Sequence, residues 1–535
     1  MLKKARRLFH TLAPLKLIQY WGLFYYRVFR RVVPFKPIKT KAKKYISNEC
    51  VFHVYQPNSW LGQSTFRFLN HSAEVDLESW VATKETLLWN YFIHYFDWLN
   101  AKSNTHSSLD ESRLIMSWWQ TQKGRQGVAW EPYPTSLRAV NYCKWGWAKN
   151  KGQKLIPKNI WIDILDRHYQ EVKRKLEYQI QANHLFANLK ALYFLQAALP
   201  EYLNKDGHWL NKQILEELAL QFDRDGGHFE LSPMYHRIML WDLFDMYVVS
   251  DVRVGSEAIK KAIKEILPLA LSWSKSMSHP DGGVAFFNDA TFGIAPEQSE
   301  IERYATALQF QIQKQKSGDY SGYIVAKNKK AYLICDAAKV GASIQPGHVH
   351  ADSLSFELSI EKQRVFVNSG VSVYGASVER LRQRSTAAHN TVEYGGRNSS
   401  DVWSGFRVGK KAKIIKRTAR FDEGEWYIKA AHDGYRPFIH TRRWVMRQNS
   451  LAITDELVGS DTKISYLHLH PNVGVEQVEG GYLLNWESGN LNLRVEGGDV
   501  TISKGTWHPA FGVVVDNYFL AIAWNDDACS VLMEW

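Results

Sequence analysis

The chain has 535 residues, 45% of them hydrophobic, which is ample for a buried core and too long for one ordinary core, so two domains are the expected arrangement. Its four cysteines, Cys50, Cys143, Cys335 and Cys529, lie far apart, which argues against a zinc knuckle or a dithiol redox site. A net charge of +13 invites a polyanion partner, but residues 1–50 hold 13 of the Lys and Arg against one acid, Glu49, and the rest is nearly neutral. Bulk charge therefore supplies neither a nucleic-acid groove nor a polysaccharide groove.

In chain order, residues 1–50 come first and alternate cations with Leu17, Ile18, Trp21, Phe24, Tyr25 and Phe29, the pattern of an amphipathic helix resting on anionic lipid. The same pattern fits a first scaffold helix with a basic polar side. The uncharged stretch from Leu17 to Tyr26 is too short to span a bilayer. Lys16 interrupts the apolar region and no small-residue cleavage site follows, so a cleaved secretory signal fits poorly. Periplasm and the cytoplasmic face of the membrane both stay open as compartments.

From about residue 75 to 310 the period is helical. Ile259, Ala262, Ile263, Ile266 and Leu267 share one face, Ile214, Leu215, Leu218 and Phe222 repeat that spacing, and Asn183 to Ala198 reads as a further helix. Residues 314–322, rich in Lys, Ser and Gly, read as a linker. Beyond it the period becomes two: Leu354, Phe356, Leu358 and Ile360 alternate with Ser353, Ser355, Glu357 and Ser359 as in a half-buried strand, and Leu491, Leu493 and Val495 do likewise. The domains expected are thus 1–50, 51–313 (helical) and 323–535 (β).

Three polar clusters interrupt the apolar pattern. Asn183-His184 opens a helix with Asn188 one turn on and on the same face. Gly226 to Arg237 brings His228, Glu230, Tyr235 and His236 together around Pro233, which can open a helix whose positive end, with Arg237 nearby, favours a Tyr235 phenolate. Gly347 to Asp352 puts His348 and His350 on one face of an extended stretch, as neighbouring imidazoles that share a metal would be. Taken singly, each cluster also fits a capped helix end or a surface strand edge.

With Trp130-Glu131-Pro132-Tyr133-Pro134 and Arg384 to Thr391, these clusters stand in the order and spacing of the heparinase II/III polysaccharide lyases, and the chain resembles that family. The resemblance implies an α+β multidomain fold: an incomplete N-terminal (α/α) toroid followed by a C-terminal antiparallel β-sandwich, with the site between them. It implies β-elimination on a uronic-acid polysaccharide, in which Asn183 and His184 neutralise the carboxylate, His348 is a further donor, and Tyr235 with His184 or His348 carries the proton. Asn188, Glu230, His236, Arg384, Trp130 and Tyr133 are the expected substrate contacts. The acidic polysaccharide is the expected partner, and no cofactor is required. Some relatives carry a structural zinc, for which His350 and His389 match two ligand positions. Asn368 stands where a carboxylate ligand is common, and a neutral amide is a poorer zinc ligand. The competing function is a non-catalytic carbohydrate-binding or assembly protein of a surface-polysaccharide pathway.

Overall fold

The computed structural model describes residues 2–29, 40–102, 105–342, 344 and 346–535; of the basic N-terminal segment, Arg30, Arg31, Lys36 and Lys39 lie outside the described residues. Helices occupy the chain up to Ala307 and strands dominate from Gly318 onward. The expected helices form as Ala182–Ala198, Pro200–Gln221 and Glu257–Ser276. Their facing sides merge into one aromatic core in which Trp89, Trp98, Trp118, Trp130, Trp145 and Trp161 are almost fully buried. Most of the chain's unusual aromatic content is thus packing. A small antiparallel sheet of Trp60–Gly62, Thr65–Phe68 and His71–Glu74, which the hydrophobic period does not announce, caps one side of this half.

The second half contains an eight-stranded antiparallel sheet from Ile414–Asp422 through Ala528–Glu534 to Gly474–Val478, a four-stranded sheet and a five-stranded sheet. Gly489–Glu496 alternates buried and exposed residues as the sequence pattern predicts. Phe356–Ile360 does not: all five residues are buried. Its polar side faces the helical half, where His279 bonds Ser359 Oγ through Nδ1 (2.7 Å) and Glu357 Oε2 through Nε2 (2.8 Å), and the Phe286 N–H donates to the same Glu357 oxygen (3.0 Å). Polar residues at alternate positions here mark a buried polar seam instead of a solvent face, because each finds a partner across it.

Residues 314–322 are likewise docked and partly ordered as a strand. Gly318–Tyr320 pairs with Tyr323–Lys327, Gln315 Nε2 donates to the carbonyls of Lys275 and Ser278, and Ser321 Oγ donates to Asp225. A shared apolar cluster of Leu231, Trp273, Met277, Phe287, Tyr323, Tyr332 and Ile334 joins the two halves. The seam is closed further at Gly370, φ +73°, where a Cβ would come within 2.9 Å of the Phe286 ring across the seam and within 2.3 Å of the His508 carbonyl on its own side. These contacts fix the walls of the cleft between the halves.

Candidate functional site

A cavity of about 1070 Å³ opens where the two halves meet. The helical half contributes Tyr91, Tyr133, Glu177, Asn183, His184 and Tyr235 to its wall, and the β half contributes His348, Tyr374 and Phe406. Asn183, His184, Tyr235 and His348, expected to act together, therefore line one space although they span 166 positions of sequence from first to last.

Tyr235 sits in the first turn of the helix Pro233–Val249, where Ser232 caps the helix by accepting the Tyr235 N–H at 3.2 Å and Pro233 occupies a position that needs no donor. Its ring stacks on the His348 imidazole with centroids 3.8 Å apart, and its hydroxyl shares a 3.1 Å hydrogen bond with Tyr374. The helix end does not make it a phenolate. Burial, with the nearby Tyr374 and Asp289, holds the phenol well above its ordinary pKa. Arg237, expected to supply positive charge, turns away: it is buried and donates to Ser278 Oγ at 2.8 Å and to the carbonyls of Pro296 and Gly282. Tyr235 is thus held as a phenol.

His348 is positioned from behind by Asp289. Its Nδ1 lies 2.9 Å from Asp289 Oδ2, which assigns the proton to Nδ1 and leaves Nε2 as the ring's lone-pair nitrogen. Burial keeps this imidazole below its usual pKa, against the pull of the Asp289 hydrogen bond. Asp289 also accepts from His350 Nε2 (2.9 Å) and from both terminal nitrogens of Arg380 (2.5 and 2.7 Å). Although burial acts in the opposite direction, Arg380 and the two imidazoles hold the Asp289 carboxyl well below the usual carboxylate range. Asp289, Arg380 and Tyr374 were not legible as site residues. The only hint is a polar pair, Asn288-Asp289, following the apolar run Val284 to Phe287.

His184 is held by a different carboxylate. Its Nδ1 lies 3.1 Å from Glu177 Oε1, its ring leans on Tyr133 at 4.4 Å, and Glu177 Oε2 accepts from Asn188 Nδ2 at 3.1 Å. Asn188 Oδ1 returns the bond by accepting the Glu177 N–H at 2.8 Å. Glu177 is thus a positioning residue that the sequence did not single out, and Asn188 supports it from behind the wall.

Of the six expected substrate contacts, Tyr133 alone lines the cavity. Asn188, Glu230, His236, Arg384 and Trp130 are buried and away from it. Partners inside the fold hold four of these by hydrogen bonds: Asn188 is tied to Glu177 and Ser136, Arg384 bonds the carbonyls of Val349, Ser404, Gly405 and Arg407, His236 bonds Ala270 O at 2.9 Å, and Trp130 bonds Gln122 O at 2.8 Å within the aromatic core.

His350 and His389 do meet, His350 Nδ1 lying 3.0 Å from His389 Nε2. Their outer nitrogens are occupied by Asp289 Oδ1 and by Ser385 O. Burial lowers both imidazoles to about 4. Asn368 Oδ1 accepts the Asn390 N–H at 3.2 Å and its Nδ2 is unpartnered. Among the described residues no group of three His, Cys, Asp or Glu is placed to hold a metal ion. Two imidazoles and an amide do not fit a closed zinc site, which takes four Cys, His or carboxylate ligands.

Comparison with known proteins agrees with the geometry. Residues 63–315 match the family model of the heparinase II/III N-terminus, and residues 312–518 match that of the heparinase II/III-like C-terminal region. A heparin-sulfate lyase of Bacteroides stercoris is 23% identical over 405 residues, covering 70% of this chain and 58% of that one. Another from Pedobacter heparinus is 20% identical over 399 residues, covering 67% and 59%. The chain thus spans less than two thirds of the length of these relatives. Among solved structures, a heparinase III superposes with a TM-score of 0.67 at 17% identity, covering 82% of this chain and 76% of that one. Heparan sulfate lyase HepC from Pedobacter heparinus does so with 0.59 at 15% identity, covering 88% and 81%. These likenesses show the fold.

Glu230, buried outside the cavity lining, gives the fold a titration signature. It is buried with neither carboxyl oxygen hydrogen-bonded, 3.7 Å from His228 Nδ1, and burial together with the charge on Asp289 raises its pKa to about 8. A carboxyl whose folded pKa is raised stabilises the fold fully below its unfolded value of 4.5, and that contribution is lost as pH rises toward 8. Glu230→Gln should therefore lose less thermal stability than the parent chain between pH 5 and about 8, by up to a few kcal/mol. Melting curves of the two proteins across that range check it; parallel curves would show that Glu230 is ionised or solvated in the fold.

Proposed function

Because the chain belongs to the heparinase II/III family, we propose that it is a polysaccharide lyase that cuts a uronic-acid polymer by β-elimination in the cleft between its halves. The helical half is then an incomplete (α/α) toroid and the β half a sandwich, with the boundary near residues 314–322. The observation that carries the reading is the convergence of Asn183, His184, Tyr235 and His348 on one cavity.

The C5 proton of a uronate is barely acidic, because its carbanion must delocalise onto a carboxylate that is already charged. Asn183 answers that need by donating from its side-chain amide, and His184, whose Nδ1 already faces Glu177, does so through Nε2 with its ring carrying both protons; these interactions strengthen as negative charge builds up. His348 Nε2 then takes the C5 proton, its imidazole kept neutral by burial and aimed by Asp289. Tyr235, held as a phenol beside it, protonates O4 as the C4–O4 bond breaks and the C4–C5 double bond forms. The elevated phenol pKa favours this division of labour over one in which Tyr235 serves first as base. An assembly protein with no turnover remains the competing function, but no observation favours it.

The cavity wall also speaks to the substrate. It carries Glu85, Glu131, Glu177 and Glu379, and no Lys or Arg among the described residues lining it. The guanidinium of Arg380 is taken up by Asp289, and that of Arg382 by the lining Glu379. A sulfate group brought into this space would meet carboxylates without a compensating cation. The names of the heparin-sulfate lyase relatives suggest a glycosaminoglycan; the wall favours one without sulfate.

Tyr235→Phe removes one hydroxyl and leaves the ring to pack, so turnover should fall about 10²- to 10⁴-fold with little change in melting temperature. An ultraviolet assay for the unsaturated product checks this, and near-parental turnover by the variant would remove Tyr235 from the chemistry. A glucuronic acid and N-acetylglucosamine polymer should be cut with at least about tenfold higher kcat/KM than the same backbone after chemical sulfation, a difference of roughly 1.4 kcal/mol in transition-state binding. Equal or faster cleavage of the sulfated polymer would refute the substrate assignment and leave the lyase reading intact.

A further inference from the structure

The N-terminal segment is folded onto the body as a strap that bridges both halves. Arg7 pairs with Asp401 through Nε (2.8 Å) and Nη2 (2.6 Å), and Thr11 Oγ1 donates to Val408 O at 3.0 Å, fixing the helix Leu2–Leu12 to the β half. The next helix, Leu17–Phe24, turns Gln19 and Gly22 inward. Gln19 Nε2 donates to Ile344 O at 2.9 Å, and Gly22 lies so close to the backbone of Gln179 that a Cβ would come within 2.7 Å of its nitrogen. Tyr25 and Tyr26 then donate to the carbonyls of Arg174 and Lys175 on the helical half. The anchors lie close in sequence to Glu177, Gly347 and Phe406 of the cavity wall.

The outer face of this strap is inverted with respect to an ordinary surface helix, which buries its apolar stripe. Leu17, Trp21 and Phe24, on one stripe of the second helix, are 87%, 59% and 50% exposed, and Leu8 and Phe9 of the first are also exposed. Exposed Lys4, Arg6, Lys16 and Arg27 flank them, and no Asp or Glu occurs between residues 2 and 29. Gln19 and Gly22 face the protein while the large apolar side chains face out.

We propose that this strap docks the protein on an anionic lipid surface, with Leu17, Trp21 and Phe24 entering the headgroup boundary and the flanking cations meeting lipid phosphates. Uniform positive charge disfavours a second copy of the same face. Bulky apolar and indole side chains beside cations match an interfacial helix better than an acidic polymer, which would use the charge and leave Leu17 and Phe24 in water. No described helix is long and apolar enough to cross a membrane, so the contact is peripheral. The proposal is independent of the lyase reading.

Sedimentation of the full chain with phosphatidylcholine vesicles, with and without phosphatidylglycerol, tests it. Binding should require phosphatidylglycerol, weaken with salt, and fall at least about tenfold when Leu17→Ser, Trp21→Ser and Phe24→Ser are combined. The melting temperature of that variant should stay unchanged, since the three side chains face away from the fold. Failure of the full chain to bind anionic vesicles at low salt, or undiminished binding by the variant, would overturn the proposal. So would capture of an acidic polysaccharide by this segment when vesicles are ignored.

Discussion

The buried carboxylate of Asp289 is the interaction on which the site depends. A lone carboxylate in this environment would be protonated or would draw in water; instead it is matched by one guanidinium and two imidazoles, all buried. Its side-chain partners come from the β half, and it reaches them from the loop between the helices Glu257–Ser276 and Gln298–Ala307. Its backbone is tied on both sides, the N–H to His348 O at 2.9 Å and the carbonyl to Ser232 Oγ at 2.5 Å. Ser232 in turn caps the Tyr235 helix. One residue therefore sets the tautomer of His348 and, through Ser232, the start of the helix that presents Tyr235.

This arrangement keeps the proposed acid and base neutral. Burial between the two packed walls raises the phenol of Tyr235 and lowers the imidazole of His348, and behind the wall it keeps a proton on Glu230 near neutral pH. In the proposed elimination the phenol is the acid and the unprotonated imidazole the base, and the two halves bring the rings together. The carboxylates of Asp289 and Glu177 orient imidazoles. The strap from Leu2 to Phe29 adds a second bridge across the same seam.

The helical and β halves were legible because the hydrophobic period changes from 3.6 to 2 near residue 315, and the four principal site residues because they sit in polar clusters within apolar surroundings. Sequence spacing does not say on which side of a wall a cluster's members fall. Glu230 and His236 flank Tyr235 in the chain, yet the helix start directs Tyr235 into the cavity and the other two into the core. Arg384 reads as an anion contact until its guanidinium is found satisfied by backbone carbonyls. Phe356–Ile360 alternates like a solvent-facing strand because buried polar seams and wet faces share that pattern. Asp289, Arg380 and Tyr374 were missed because each acts through a partner distant in sequence, and a single chain carries no signal of that pairing; Glu177, although near His184 in the chain, lies outside the polar clusters.

Elimination and hydrolysis leave different atoms in the product, and that difference tests the central claim most directly. Digestion of an unsulfated uronate polymer in water enriched in heavy oxygen, followed by mass spectrometry, should give oligosaccharides with an unsaturated terminal uronate and no heavy oxygen from the cleavage step. Saturated products that each carry one solvent oxygen would mean that the cleft hydrolyses its substrate, and the assignment of Tyr235 and His348 as an eliminating pair would be wrong.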